Sequence, residues 1–285
     1  LYHARFYSPG QSGSSRRPRL GAGGRVFARD AFVESMSNQQ PAIVRSQPAV
    51  EAYLLGLVDF DACLALQQRL VYESAGRTDG QISLLICEHP LSITVGRQGS
   101  RAHIRLDKHE LVSRGLEVRW VNRGGGCLVH APGQLAIYPI VPLEPHGFSV
   151  GAYLQRLQGG ILAALEEQRF SGRTEPDRDG IWGRAGQVAF LGAAVKNGIS
   201  YYGAYLNVAP ATTLFRWVES DPAAHSPMSS LVIERQQPVR MSSVREALVR
   251  RLAEAFGCER YHLYTGHPLL NRHHGASHAP AARVG

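Results

Sequence analysis

Two long runs rich in apolar residues, Gln187–Val195 and Ile199–Val208, stand on either side of Lys196-Asn197-Gly198. No other feature limits the fold as strongly. Asn-Gly suits the left-handed backbone of a two-residue turn, so the runs beside it pair as an antiparallel hairpin. Further segments of strand length are Gln81–Cys87, Ser92–Val95, Glu117–Val121, Leu128–His130 and Leu135–Val141. Asp59 caps an expected helix reaching about Ser74, with Cys63, Leu66 and Leu70 on one face. A short helix is expected near Asp107–Arg114. A longer one over Ser149–Gln168 places Tyr153, Leu157, Ile161 and Leu165 at helical spacing, with Gly159-Gly160 weakening its middle. Ser243 to Glu246 has the form of a capping box opening a last helix that buries Leu248, Leu252 and Phe256. Helices interleaved with frequent hairpins predict one α/β (α+β) domain over 49–265, with a mixed, largely antiparallel sheet flanked by helices.

The tails are read separately. Of the 285 residues, the first 35 hold six arginines against Asp30 and Glu34, a large share of the net charge of +8. The Gly/Ser/Arg-rich stretch 7–24 cannot support a core. The charge therefore belongs to a disordered basic head, residues 1–48, and no nucleic-acid partner is expected. The head reads either as an organellar transit peptide or, in the favoured reading, as sequence upstream of a natural start at Met36, the first methionine. Residues 266–285 read as a solvated tail rich in histidine (His267, His273, His274, His278). No apolar run is long enough to span a membrane. Cys63, Cys87, Cys127 and Cys258 are widely spaced, which predicts neither a disulfide framework nor a metal motif. Reduced thiols fit a cytoplasmic protein that needs no cofactor.

The chemistry-bearing segment is Arg123-Gly124-Gly125-Gly126-Cys127-Leu128-Val129-His130-Ala131-Pro132-Gly133-Gln134. Consecutive glycines between strands allow a bend or a close approach, and free backbone N–H groups to face a carbonyl or anion. Arg123 and His130 bring a cation and a titratable ring to the same place. Cys127 is a candidate nucleophile there. It lies three positions from His130, so in a regular strand the two point to opposite faces.

This segment, continued as RGGGCLVHAPGQLAIYP, resembles the signature of the lipoyl/octanoyl transferase family, R-G-G-x-x-x-Y-H-G-P-G-Q-L followed by Y-P. Three more stretches are similar in the same order: GLVDFDACLALQQRL (56–70), EHPLSITVGRQG (88–99) and GQVAFLGAAVKNGISYYGAYLNV (186–208). The resemblance implies a biotin/lipoate protein ligase-like fold. It also implies transfer of octanoyl from acyl carrier protein to a lysine of a lipoyl domain, in 2-oxoacid dehydrogenases or the glycine cleavage H protein. Arg97, the run from Arg123 through Gly124, Gly125, Gly126, Cys127, Leu128 and Val129 to His130, then Phe190, Leu191 and Gly192, and Gly203, Ala204 and Tyr205 would bind the acyl substrate.

Two positions depart from the family. Its lysine, which lowers a cysteine's pKa, falls on Gln187. Its thioester-forming cysteine falls on Ala223 in Asp221-Pro222-Ala223-Ala224. The only other lysines are Lys108 and Lys196, and Lys196 lies on the order of 30 Å along a strand from Gln187. Three readings stand: an octanoyl transferase with a relocated site, a non-catalytic homologue that binds an acyl chain or lipoyl domain, and an ATP-dependent lipoate or biotin ligase.

Overall fold

The computed structural model describes residues 49–176, 178–220 and 227–271. The expected basic head with Met36, the Ala223 loop (221–226) and the tail histidines His273, His274 and His278 lie outside the described residues.

The described residues begin with strand β1 (Ala49–Leu57) and helix α1 (Phe60–Ala75), whose first turn is capped by the Asp59 carboxylate accepting from Asp61 N and Ala62 N. Strands β2 (Ile82–Glu88) and β3 (Ser92–Val95), helix α2 (Lys108–Ser113) and strands β4 (Val118–Trp120), β5 (Cys127–His130) and β6 (Gln134–Ile140) follow. After helix α3 (Val150–Glu167) come β7 (Arg173–Glu175), β8 (Arg178–Trp182), β9 (Gln187–Lys196) and β10 (Ile199–Asn207). The chain then forms α4 (Leu231–Arg235), α5 (Met241–Ala255), β11 (Arg260–Thr265) and α6 (Pro268–Asn271), with short 3-10 turns at Arg101–His103 and Thr212–Trp217.

Eight strands form one sheet in the order β11-β1-β2-β6-β10-β9-β8-β7, parallel only where β1 meets β2 and β11. A three-stranded sheet, β4-β3-β5, lies apart. Side-chain alternation divides the large sheet into two faces. Ile82, Leu84 and Ile86 of β2 and Leu135 and Ile137 of β6 pack with α3 and α5. Leu85, Cys87, Ala136, Tyr138 and Ile140 pack instead with Phe60, Cys63, Leu66 and Leu70 of α1. Burial on both faces explains why the central strands lack polar alternation. No helix among the described residues is long and apolar enough to cross a membrane.

The structure differs from the sequence reading at three places. Helix α5 starts at Met241, with Arg240 at its N-cap and no side-chain cap bond, so Ser243 lies inside the helix instead of opening it. Helix α3 runs unbroken through its glycine pair, because Gly160 faces α5: a Cβ there would lie 2.9 Å from Leu252 Cδ2 and 3.0 Å from Ala255 Cβ. The tail assignment fails at its beginning. His267 is buried and packs on Tyr53 at 4.7 Å, while Leu269 and Leu270 join the core under α1.

Candidate functional site

The glycine loop joins β4 to β5 and is held by backbone on two sides. Gly124 N donates to Ala193 O of β9 at 3.1 Å; on the other side Arg97 N donates to Arg123 O at 3.0 Å and Gln98 N to Gly125 O at 3.1 Å. Such contacts leave no room for side chains between the layers. A Cβ on Gly192 would lie 2.6 Å from Gly124 O, and Gly125 has the left-handed φ of +78°. The loop thus lies directly on β9 at Gly192, which pairs with Gly203 of β10.

Arg123 turns inward and is only 1% exposed. Its Nη2 donates to Thr94 Oγ1 (2.7 Å) and Thr94 O (3.2 Å), its Nη1 to Gly124 O (2.9 Å), and the guanidinium lies 5.6 Å from the Tyr205 ring centroid. These partners carry no negative charge, and Nε has no hydrogen-bond partner among the described residues. Burial holds this guanidinium below its ordinary pKa. Arg97, by contrast, is exposed and donates to Asn122 O at 2.8 Å.

His130 extends the same network. Its Nε2 is 2.8 Å from Thr94 Oγ1 and its Nδ1 is 2.9 Å from Gln134 Oε1. Gln134 Nε2 donates to Val129 O and Asn207 Oδ1, so its Oε1 must accept. His130 is therefore neutral with the proton on Nδ1, and its Nε2 accepts from the Thr94 hydroxyl. Burial first, then the nearby His89 and the charge of Arg123, push its pKa well down. An imidazole tied at both nitrogens orders the site; it has no lone pair left to act as a general base. The network ends where Asn207 Nδ2 donates to Ser229 O at 3.1 Å.

Strand alternation distributes the remaining predicted residues. Phe190, Tyr205 and Leu128 share the face beneath α1, whereas Leu191 and Ala204 point into the core beneath α3 and α5. Val129 and Cys127 belong to the core of the small sheet. A continuous run along a strand therefore cannot line one pocket: the side chains of Leu191, Ala204 and Val129 do not share the face of Phe190, Leu128 and Tyr205. The Cys127 thiol donates to Ser100 O at 3.4 Å, and burial pushes its pKa up. Thiolate formation, which nucleophilic attack requires, is disfavoured there.

Gln187 begins β9 with its side chain buried and its Nε2 donating to Ala189 O at 3.1 Å. Its backbone is tied to the far end of the Ala223 loop, donating to Pro227 O and accepting from Ser229 N, both at 2.8 Å. The near end of that loop touches the glycine loop, since a Cβ on Gly126 would lie 2.3 Å from Ser220 O. Ser220 thus lies against the glycine loop, and Pro227 and Ser229 lie against Gln187. Lys196, at the other end of β9, is exposed.

Sequence reasoning overlooked several buried polar groups. His89 donates from Nδ1 to Val58 O (2.7 Å) and accepts at Nε2 from the Tyr138 hydroxyl (2.8 Å). Thr94, Gln134 and Asn207 likewise received no role. Their signal was polarity inside strands that are otherwise apolar.

A family model described as the lipoyl protein ligase A/B catalytic domain matches residues 59–253. The chain belongs to this family. The octanoyltransferase of Roseiflexus sp. (strain RS-1) is 32% identical over 212 residues, covering 73% of this chain and 87% of that protein. The octanoyltransferase of Chloroflexus aggregans (strain MD-66 / DSM 9485) is 33% identical over 209 residues, covering 72% and 93%. The fold is that of a bipartite lipoate protein ligase from Thermoplasma acidophilum, with a TM-score of 0.62 at 14% identity over 79% of this chain and 90% of that one. Lipoate-protein ligase A bound with ATP gives a TM-score of 0.61 at 13% identity, over 80% and 92%. The mixed, helix-flanked sheet expected from the sequence is this family's architecture.

Proposed function

We propose that the chain handles octanoyl groups in protein lipoylation, as an acyltransferase-family protein that does not form the cysteine thioester. Octanoyl-acyl carrier protein is the donor class, and lipoyl domains are the acceptor class. The acyl chain would lie by the half-buried Gly124 and Gly125, near the apolar face of Phe190, Leu128 and Tyr205. Burying it contributes about 0.8 kcal/mol per methylene.

One observation carries the chemical part of this reading. The position that holds a cation in the family is Gln187, a neutral amide tied to Ala189 O and unable to lower a thiol's pKa. The thiol itself is also missing, because residue 223 is alanine. Any transfer must then be direct. The acceptor lysine amine would attack the donor thioester, forming the amide and losing a proton as the carrier thiol leaves.

Incubation with octanoyl-acyl carrier protein and a lipoyl domain, followed by intact mass, tests the reading. No octanoyl adduct should form on this chain, and transfer should be undetectable or very slow. The double variant Ala223→Cys with Gln187→Lys should gain one octanoyl group, faster than Ala223→Cys alone, whose thiol lacks the neighbouring cation. Fast transfer abolished by Cys127→Ser would move the nucleophile into the glycine loop and overturn the proposal.

A further inference from the structure

Beneath α1, with the His89 ring centroid 5.9 Å from that of His130, the fold brings together three metal-ligating side chains from separate elements. Cys63 from α1 and Cys87 from β2 have their sulfurs 3.8 Å apart, and Cys87 Sγ is 3.6 Å from His89 Nε2. All three donor atoms lie within 4.8 Å of one another. Both cysteines are 0% exposed and His89 is 2% exposed. We propose that Cys63, Cys87 and His89 form a binding site for a thiophilic divalent cation of the zinc type.

Two of the three distances match those of a coordination shell. Zinc bonds of about 2.3 Å to sulfur and about 2.0 Å to nitrogen, at tetrahedral angles, separate two sulfurs by about 3.8 Å and sulfur from nitrogen by about 3.5 Å. Cys63 and Cys87 already hold the first spacing and Cys87 with His89 the second. A disulfide, by contrast, needs the sulfurs at about 2.05 Å. The histidine is also prepared. Donation from Nδ1 to Val58 O fixes the tautomer and makes Nε2, 3.6 Å from Cys87 Sγ, the acceptor nitrogen; a bound ion would take the place of the Tyr138 hydroxyl as its partner.

Charge favours a divalent ion over a monovalent one. Binding releases one proton from each thiol to solvent, and two thiolates neutralise one divalent cation. The filled site is then neutral in an apolar core, where a net charge would be costly. The ligand set, two sulfurs and an imidazole, selects a soft or borderline cation over magnesium or calcium. This inference does not depend on the octanoyl reading. It does place an ion near that site, because the Tyr138 and Tyr205 hydroxyls are 3.5 Å apart and Tyr205 faces Arg123.

The test uses the full chain, reduced, with cobalt(II) as the spectroscopic probe and zinc(II) as competitor. One cobalt per chain should bind with a thiolate-to-cobalt charge-transfer band, and zinc should displace it. Cys63→Ala and the nearly isosteric Cys63→Ser should each lose the band and weaken zinc binding on the order of 100-fold or more, while Cys258→Ser keeps both. Zinc should raise the Tm of the parent and not that of Cys63→Ser. Cobalt uptake without a thiolate band would assign binding to histidines elsewhere and overturn the proposal. A band that survives both Cys63 variants would overturn it as well, as would a reduced chain that takes up no metal and only forms a Cys63–Cys87 disulfide on oxidation.

Discussion

His89 and His130 are imidazoles placed where water does not reach, and each is kept neutral by that placement. Burial pushes the pKa of His89 down to about 4, and that of His130 well below its ordinary value. In the unfolded chain both titrate near about 6.5, so between that pH and the depressed folded values the unfolded state binds more protons. Stability is then full above about pH 6.5 and is lost as pH falls toward 4. His89 alone accounts for about 3 kcal/mol of this loss at 1.36 kcal/mol per unit. Urea unfolding of the metal-free protein at pH 7.0 and pH 4.5, two points chosen to bracket this window at roughly its ends, should show the midpoint falling at the lower pH. His89→Gln should flatten that dependence; an unchanged slope in the variant would return the effect to other groups. The sequence placed His130 beside the glycines correctly. Its tautomer depends on Gln134, Asn207 and Thr94, which only the folded chain brings together.

At the scale of elements, adjacent glycines in α3 have opposite meanings. Gly159 is exposed, and a Cβ there would meet nothing within 4 Å, while Gly160 lies against Leu252, Ala255 and Arg251 O of α5. Gly159→Ala should therefore stabilise the protein by about 0.5–1 kcal/mol through helix propensity. Gly160→Leu should destabilise it by about 1–3 kcal/mol through overpacking at the α3–α5 crossing. Thermal and urea denaturation of the two variants check the opposite signs. Periodicity revealed α3 itself, but not which glycine faces a partner, because that requires α5 in place. The same limit applies to β11. Its six residues are all exposed on a parallel edge of β1, where the strand is held by its backbone and by Tyr264 stacking on Tyr53 at 5.1 Å, so no buried face marks it. The misplaced start of α5 is a local ambiguity: Ser243 and Glu246 fit a capping box in pattern, but the N-cap is Arg240, nearly one turn earlier.

At the scale of the molecule, the described core is assembled from Val50 onward, and its two faces are supplied by α1, α3, α5 and the large sheet. A chain starting at Met36 should therefore keep the cooperative unfolding and the Tm of the full chain. Calorimetry of the two forms tests this, and a broad or lowered transition in the shorter one would show that the basic head contributes to stability.

The sequence by itself determined the family, the β9–β10 hairpin and the glycine loop. Each is a matter of residue identity or of spacing within one segment, where local chemistry decides. Tertiary structure decided which of the strand residues face which core, because alternation assigns neighbouring side chains to opposite faces but does not say what covers each face. It also decided that Arg123 is buried among neutral partners, and that Cys63 and Cys87, separated by 24 positions, meet beside His89. Contacts between α1 and β2 depend on how the sheet is ordered, and no spacing along the chain encodes that distance.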